Sequence, residues 1–93
     1  MKQQETIKYC PTTVVNTGQF GDQLILYHAM SKQYYVLTAV GAQAWQLLDG
    51  KRSIADIGKI LVKHYTVEID KVQSDLSELF QGLSDFGLVQ VVD

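Results

Sequence analysis

Gln33-Tyr34-Tyr35-Val36-Leu37-Thr38-Ala39-Val40-Gly41-Ala42-Gln43-Ala44-Trp45-Gln46-Leu47-Leu48 carries two periodicities in succession. Residues 33–37 are aromatic and β-branched, the composition of a half-buried strand. Beyond Thr38, the residues Val40, Ala44, Leu47 and Leu48 recur at helical spacing. Thr38 is an N-cap residue type at the junction, and Gly50 is a C-terminal stop. The stretch therefore reads as a strand that runs straight into a helix. Tyr34 and Tyr35 are adjacent, so they point to opposite faces. Tyr35 shares its face with Leu37 and is expected to enter the core, leaving Tyr34 near the surface.

Upstream, 12–17 is rich in threonine and valine and follows Pro11, the only proline. It reads as a first strand with Pro11 at its start. Gly18 and Gly21 frame a turn, 22–28 reads as a second strand, and Ala29-Met30-Ser31-Lys32 connects it to 33–37. Downstream, Ser53 with Asp56 three residues on has the form of a capping box. Ile54, Ile57, Leu61 and Tyr65 make the stripe of a second helix. The last helix, 69–86, has the most regular stripe: Ile69, Val72, Leu76, Leu79, Phe80, Leu83 and Phe86. Gly87 ends it, and 88–92 is extended. The fold class expected is α+β, winged-helix-like, with a three-stranded antiparallel sheet followed by three helices. Residues 1–93 form one domain in this reading, with 1–10 a flexible N-terminal tail.

The chain has 93 residues, a formal charge of −2 and 46% apolar residues, enough for one small core. Mild acidity disfavours nucleic acid and anionic membrane. The single cysteine, Cys10, has no internal partner, no apolar run reaches the ~18 residues of a membrane span, and no signal peptide is visible. A cytoplasmic location, without membrane or nucleic-acid partners, is the expectation. The histidines His28 and His64 fall on different elements and are not spaced to pair with Cys10 in catalysis. No Cys/His cluster offers the three or four ligands of a metal site, and Gly18-Gln19-Phe20-Gly21 lacks the lysine of a phosphate loop. Neither catalysis, metal nor cofactor is expected. A winged-helix transcription regulator is the alternative, with 69–86 as its recognition helix. That helix sets only Lys71 against Asp70, Asp75, Glu78 and Asp85, the wrong sign for a polyanion.

At a sheet edge, 33–37 would leave free N–H and C=O groups beside the apolar final helix. An extended peptide could pair with that strand and place side chains against the helix. The expected binding residues are Gln33, Tyr34, Tyr35, Val36 and Leu37 on the strand, and Gln73, Leu76, Phe80 and Leu83 on the helix. Which border of the helix faces the strand is left open by the spacing alone.

The order Tyr34-Tyr35-Val36-Leu37-Thr38-Ala39-Val40-Gly41-Ala42-Gln43-Ala44-Trp45, then Leu47-Leu48-Asp49-Gly50, resembles the PqqD family. So do Ser53-Ile54-Ala55-Asp56-Ile57, His64-Tyr65 and Phe86-Gly87-Leu88-Val89. The resemblance covers about 12–92. One departure is Ala39-Val40, where many relatives carry a proline-threonine or similar polar pair. The resemblance implies a recognition element for precursor peptides that are made ribosomally and then modified in natural product biosynthesis. It implies a peptide chaperone that is not an enzyme, with the leader segment added as a strand to 33–37 and lying against 69–86. Its implied partners are the precursor's leader peptide and a tailoring enzyme, either a radical S-adenosylmethionine (radical SAM) protein or a leader peptidase. An enzyme partner requires a second surface, for which Asp75, Glu78 and Asp85, or the pair Lys51-Arg52, are candidates.

Overall fold

The change of period at Thr38 appears directly in the computed structural model, which describes residues 6–92. Its elements are β1 (Lys8–Pro11), β2 (Val15–Phe20), β3 (Gln23–His28), β4 (Tyr34–Thr38), α1 (Ala39–Gln46), α2 (Ile54–Leu61), α3 (Ile69–Asp85) and β5 (Val89–Val92). Strands β2, β3 and β4 form an antiparallel sheet in that order, and β1 pairs antiparallel with β5 in a second sheet of two strands. The expected three-stranded sheet followed by three helices is present.

Two boundaries differ from the sequence reading for identifiable reasons. The first strand of the large sheet starts at Val15 rather than residue 12. Thr12 is held elsewhere: its N–H donates to the Leu88 carbonyl at 3.0 Å, and its hydroxyl donates to the Gly87 carbonyl at 2.7 Å. Gly18 consequently lies within β2, and Gly21-Asp22 makes the turn. Residues 8–10, expected in a flexible tail, belong to β1. Lys8 lies opposite Val92 and Cys10 opposite Gln90, while Pro11 ends this strand. The tyrosine ring of β1 anchors it. Tyr9 is buried and packs against Phe80 at a centroid distance of 5.6 Å. Burial, with the charge of Asp85 added, raises its phenol above the ordinary value. Residues 1–5 lie outside the described residues.

Helix ends follow local chemistry. In α2 the Ser53 hydroxyl accepts from the Asp56 N–H and the Asp56 carboxylate accepts from the Ser53 N–H, closing the expected capping box. Thr38 occupies the N-cap of α1, but its side chain makes no capping bond. The chain turns there through Ala39 at φ +49°, a left-handed backbone that costs a non-glycine residue about 1–2 kcal/mol. At the end of α3, Gly87 at φ +78° closes a Schellman motif. Leu88 N–H donates to Leu83 O at 2.9 Å and Gly87 N–H to Ser84 O at 3.0 Å.

The core collects around α3. Leu24 and Leu26 of β3, Leu37 of β4, Ala44 and Trp45 of α1, and Ile54, Ile57 and Leu61 of α2 surround Val72, Leu76, Phe80 and Leu83. Helices α2 and α3 approach closely at Gly58, where a Cβ would lie 2.9 Å from Gln73 Cγ. Gly82 on α3 is the opposite case, because a Cβ there meets nothing within 4 Å.

These two helical glycines make a matched test by urea unfolding. Gly58→Ala should lower stability by about 1–2 kcal/mol, because overpacking outweighs the helix-propensity gain. Gly82→Ala should raise it by about 0.5–1 kcal/mol. A second expectation concerns acid. The Asp49 carboxylate accepts from Arg52 N–H and Lys51 N–H, and the Asp56 carboxylate accepts from Ser53, so both sit below the ordinary carboxylate value. Their contribution is full above about pH 3.9 and is lost as pH falls through the lowered folded values. Asp49→Asn with Asp56→Asn should flatten the acid limb of an unfolding-versus-pH curve below about pH 4.

Candidate functional site

Strand β4 pairs with β3 on one side and, among the described residues, with nothing on the other, so it is an edge of the larger sheet. The ladder geometry fixes which of its backbone groups are free. His28 N–H donates to Gln33 O at 2.8 Å, and Tyr35 and Leu37 stand opposite Leu26 and Leu24. Hydrogen-bonded pairs alternate in an antiparallel ladder. Gln33, Tyr35 and Leu37 thus turn their N–H and C=O groups toward β3, and Tyr34 and Val36 turn theirs outward. Side chains alternate in step: Tyr34 is 65% and Val36 46% exposed, while Tyr35 is half-buried and Leu37 buried. The assignment of Tyr35 to the inner face holds.

The helix beside this edge is α3, and two contacts identify which border faces it. Tyr35 and Phe86 meet at 5.0 Å between ring centroids. A Cβ built at Gly41, at the start of α1, would touch both Leu79 and Leu37. Residues Asp75, Leu79, Gly82 and Phe86 follow one another along the helix on this border. Phe86 is 48% exposed despite its aromatic contact, and Gly82 leaves open space between Leu79 and Phe86. Together the unpaired strand and this border form a trough floored by Tyr35, Leu37 and Leu79. It is apolar inside and offers free backbone donors and acceptors along one wall. Desolvation in this setting raises the Tyr35 phenol above its ordinary value.

The helix residues expected from the sequence sit elsewhere. Gln73, Leu76, Phe80 and Leu83 are 6, 2, 0 and 3% exposed. Leu76, Phe80 and Leu83 point into the core. Gln73 lies about 120° around α3 from Leu79, against α2, where its amide donates to Ala55 O at 3.4 Å. The physical reason is that α3 is covered on two borders by different neighbours, and only the Leu79–Phe86 border meets β4. Leu79 and Phe86 were visible as members of the apolar stripe, and Gly82 as a small residue next to it.

The remaining chemistry-bearing residues are dispersed. Cys10 sits in β1, where the Gln90 amide donates to its sulfur at 3.6 Å. His28 Nδ1 accepts from the N–H groups of Met30 and Ser31 in the β3–β4 connection. His64 is exposed after α2. No three His, Cys, Asp or Glu side chains come together among the described residues. Nor is any helix among them long and apolar enough to cross a membrane. A DNA-reading role for α3 is not supported, since its one cation, Lys71, is paired with Asp75 at 3.3 Å.

Comparison with curated proteins gives no match. Among solved structures, TbiB1 in complex with the TbiA(beta) leader peptide superimposes with a TM-score of 0.79 at 25% identity. That match covers 87% of this chain and 94% of the other. Lasso peptide synthetase B1 complexed with the leader peptide gives a TM-score of 0.79 at 23% identity, over 89% of this chain and 98% of the other, and so shares the fold. Residues 23–89, from the start of β3 into β5, match the family described as coenzyme PQQ synthesis protein D, and the chain belongs to this PqqD family.

Proposed function

We propose that this chain is a non-catalytic carrier of a precursor peptide, which binds the leader segment and presents the remainder to a separate modifying enzyme. The observation that supports it most is the unpaired edge of β4 beside the open border of α3. An extended peptide pairing there gains backbone hydrogen bonds worth about 0.5–1.5 kcal/mol each and needs no particular sequence to do so. Selectivity comes from its alternate side chains, which enter the trough against Tyr35, Leu79, Gly82 and Phe86. Gln33, Tyr34, Val36 and Leu37 contribute the strand itself. Likeness to two proteins solved with leader peptides supports the same reading.

The enzyme partner in this proposal is a radical SAM protein or a leader peptidase, and the compartment is the cytoplasm. The carrier acts through effective concentration. By holding the leader and the enzyme together it makes their encounter intramolecular, at about millimolar effective concentration for short linkers. Residues of the carrier perform no bond-making step.

Gly82→Leu separates binding from stability. Leucine favours a helix over glycine by about 0.8 kcal/mol, and the site is open, so folding should be unharmed. Titrated with its precursor peptide, the variant should bind at least tenfold more weakly than wild type. Equal affinity would remove the α3 wall from the site. In reconstitution at low micromolar protein, the carrier alone should leave the precursor's mass unchanged. Adding it to the modifying enzyme should speed modification of the full precursor, with little effect on a core peptide that lacks its leader. Identical rates with and without the carrier would overturn the proposal.

A further inference from the structure

The three-stranded sheet has a second face, turned away from the core. The burial of Leu24, Leu26 and Leu37 fixes the inner side, so the alternate residues of each strand lie outside. There Ile25 stands opposite Val36, and Tyr27 opposite Tyr34. On the far strand Gly18 lies opposite Ile25 and Phe20 opposite Gln23. The Phe20 ring lies over Gly18, where a Cβ would come within 3.6 Å of its Cε2. The other outward positions, Asn16, Gln23 and Thr38, are polar and neutral, so this face carries no charged side chain. Asp22 and Lys32, the nearest charges along the chain, fall in the connections at its two ends.

Exposure on this face rises toward the β4 edge. In one cross-strand row Ile25 is half-buried and Val36 exposed; in the next, Tyr27 is 37% and Tyr34 65% exposed. Each row is flanked on its β3 side and ends at β4, with no strand beyond it among the described residues. Lysine at such outward edge positions blunts an edge against stray pairing, and an edge that offered only its backbone to a ligand would tolerate it. Tyr34 and Val36 are instead residue types whose cross-strand contacts stabilise a sheet. They stand where the side chains of an added strand arrive.

We infer that the outer face beside Tyr34 and Val36 is a second specificity site for the peptide that adds to β4, which is therefore recognised on both of its faces. This deepens the carrier reading above and rests on it. Tyr34 and Val36 turn their backbone groups outward, so the peptide residues paired with them place side chains on the outer face, against the tyrosine ring and the valine. The residue between those two points into the trough, toward Tyr35. Three consecutive residues of the ligand thus each meet an apolar surface. A strand covered on one face alternates apolar and polar, whereas one covered on both reads as an unbroken apolar run. The recognised segment is of the second kind, a short run of β-branched and aromatic residues. Continuity of this face with the β4 edge selects the peptide as its occupant, because any strand added to β4 extends both rows.

The probe is a library of random peptides displayed on phage and selected on the purified chain, with amide exchange of each complex locating the peptide on β4. Wild type should enrich peptides with three or more adjacent apolar residues. Val36→Lys should enrich Asp or Glu within that run, and Tyr34→Lys should do so two positions away. In a peptide selected by wild type, Ala at either of these positions should weaken binding at least fivefold. With Glu opposite residue 36, the same peptide should bind Val36→Lys at least fivefold more tightly than wild type. Val36→Thr, which keeps the shape and the strand preference, should weaken the parent peptide in the same direction with a smaller effect. Selected peptides that protect the Tyr34 and Val36 amides but alternate apolar and polar, or tolerate Ala at both positions within twofold, overturn the outer-face site and leave the carrier reading intact. Peptides that bind without protecting those amides overturn both. Wild-type self-association in sedimentation that Val36→Lys abolishes, with the selected peptides unchanged, assigns the face to a second copy and overturns the site.

Discussion

Phe80, fully buried at the middle of α3, is the constraint on which the other elements depend. A 17-residue helix with one wide apolar stripe cannot remain folded in water unless that stripe is covered. In a chain this short the cover has to come from every other element. Strand β1 supplies Tyr9, β3 supplies Leu24 and Leu26, β5 supplies Val89, and α2 closes the Gln73 border through the gap that Gly58 leaves. The Schellman turn at Gly87 and the Thr12 hydrogen bonds then tie the end of α3 to the segment that follows β1 and to the start of β5.

The trough is a consequence of what this arrangement leaves over. After β4 the chain enters α1 through the left-handed Ala39 with no intervening loop. Among the described residues, none that follows returns to pair with β4. Covering the β4 edge with a loop would have blunted it, as protein edges commonly are, and β4 itself carries no proline or charge. An open edge with exposed Tyr34 and Val36 is a liability for a protein with no ligand. It is an asset for one whose ligand is another chain's extended segment.

Much of this was legible in the sequence because local rules and packing agree. The strand-to-helix junction at Thr38, the Ser53–Asp56 box and the Gly87 stop all follow from residue type and spacing. Tyr35 was placed inward by its parity with Leu37. Strand β1 was not legible: four residues ending in proline, with Tyr9 as the one large apolar anchor, give no alternation, and the pairing with β5 spans nearly the whole chain. The burial of the helix residues named from spacing was not legible for a related reason. The stripe of α3 is symmetric about Leu83 at about 100° per residue, so spacing gives two equivalent borders. Only the Tyr35–Phe86 contact and the Leu79–Gly41 approach, both tertiary, break that symmetry. Gln73, polar at a border, had the profile of a groove residue and is instead buried against α2.

The central claim is that a peptide completes the β4 edge as an added strand. Amide hydrogen exchange resolved by residue tests it most directly. On addition of the precursor peptide, the outward N–H groups of Tyr34 and Val36 should become strongly protected. Those of Tyr35 and Leu37, already turned toward β3, should change far less. That alternation is the signature of a new ladder on one edge. Protection confined to β2 or to the β1–β5 sheet, or no protection at Tyr34 and Val36 under saturating peptide, would contradict the account.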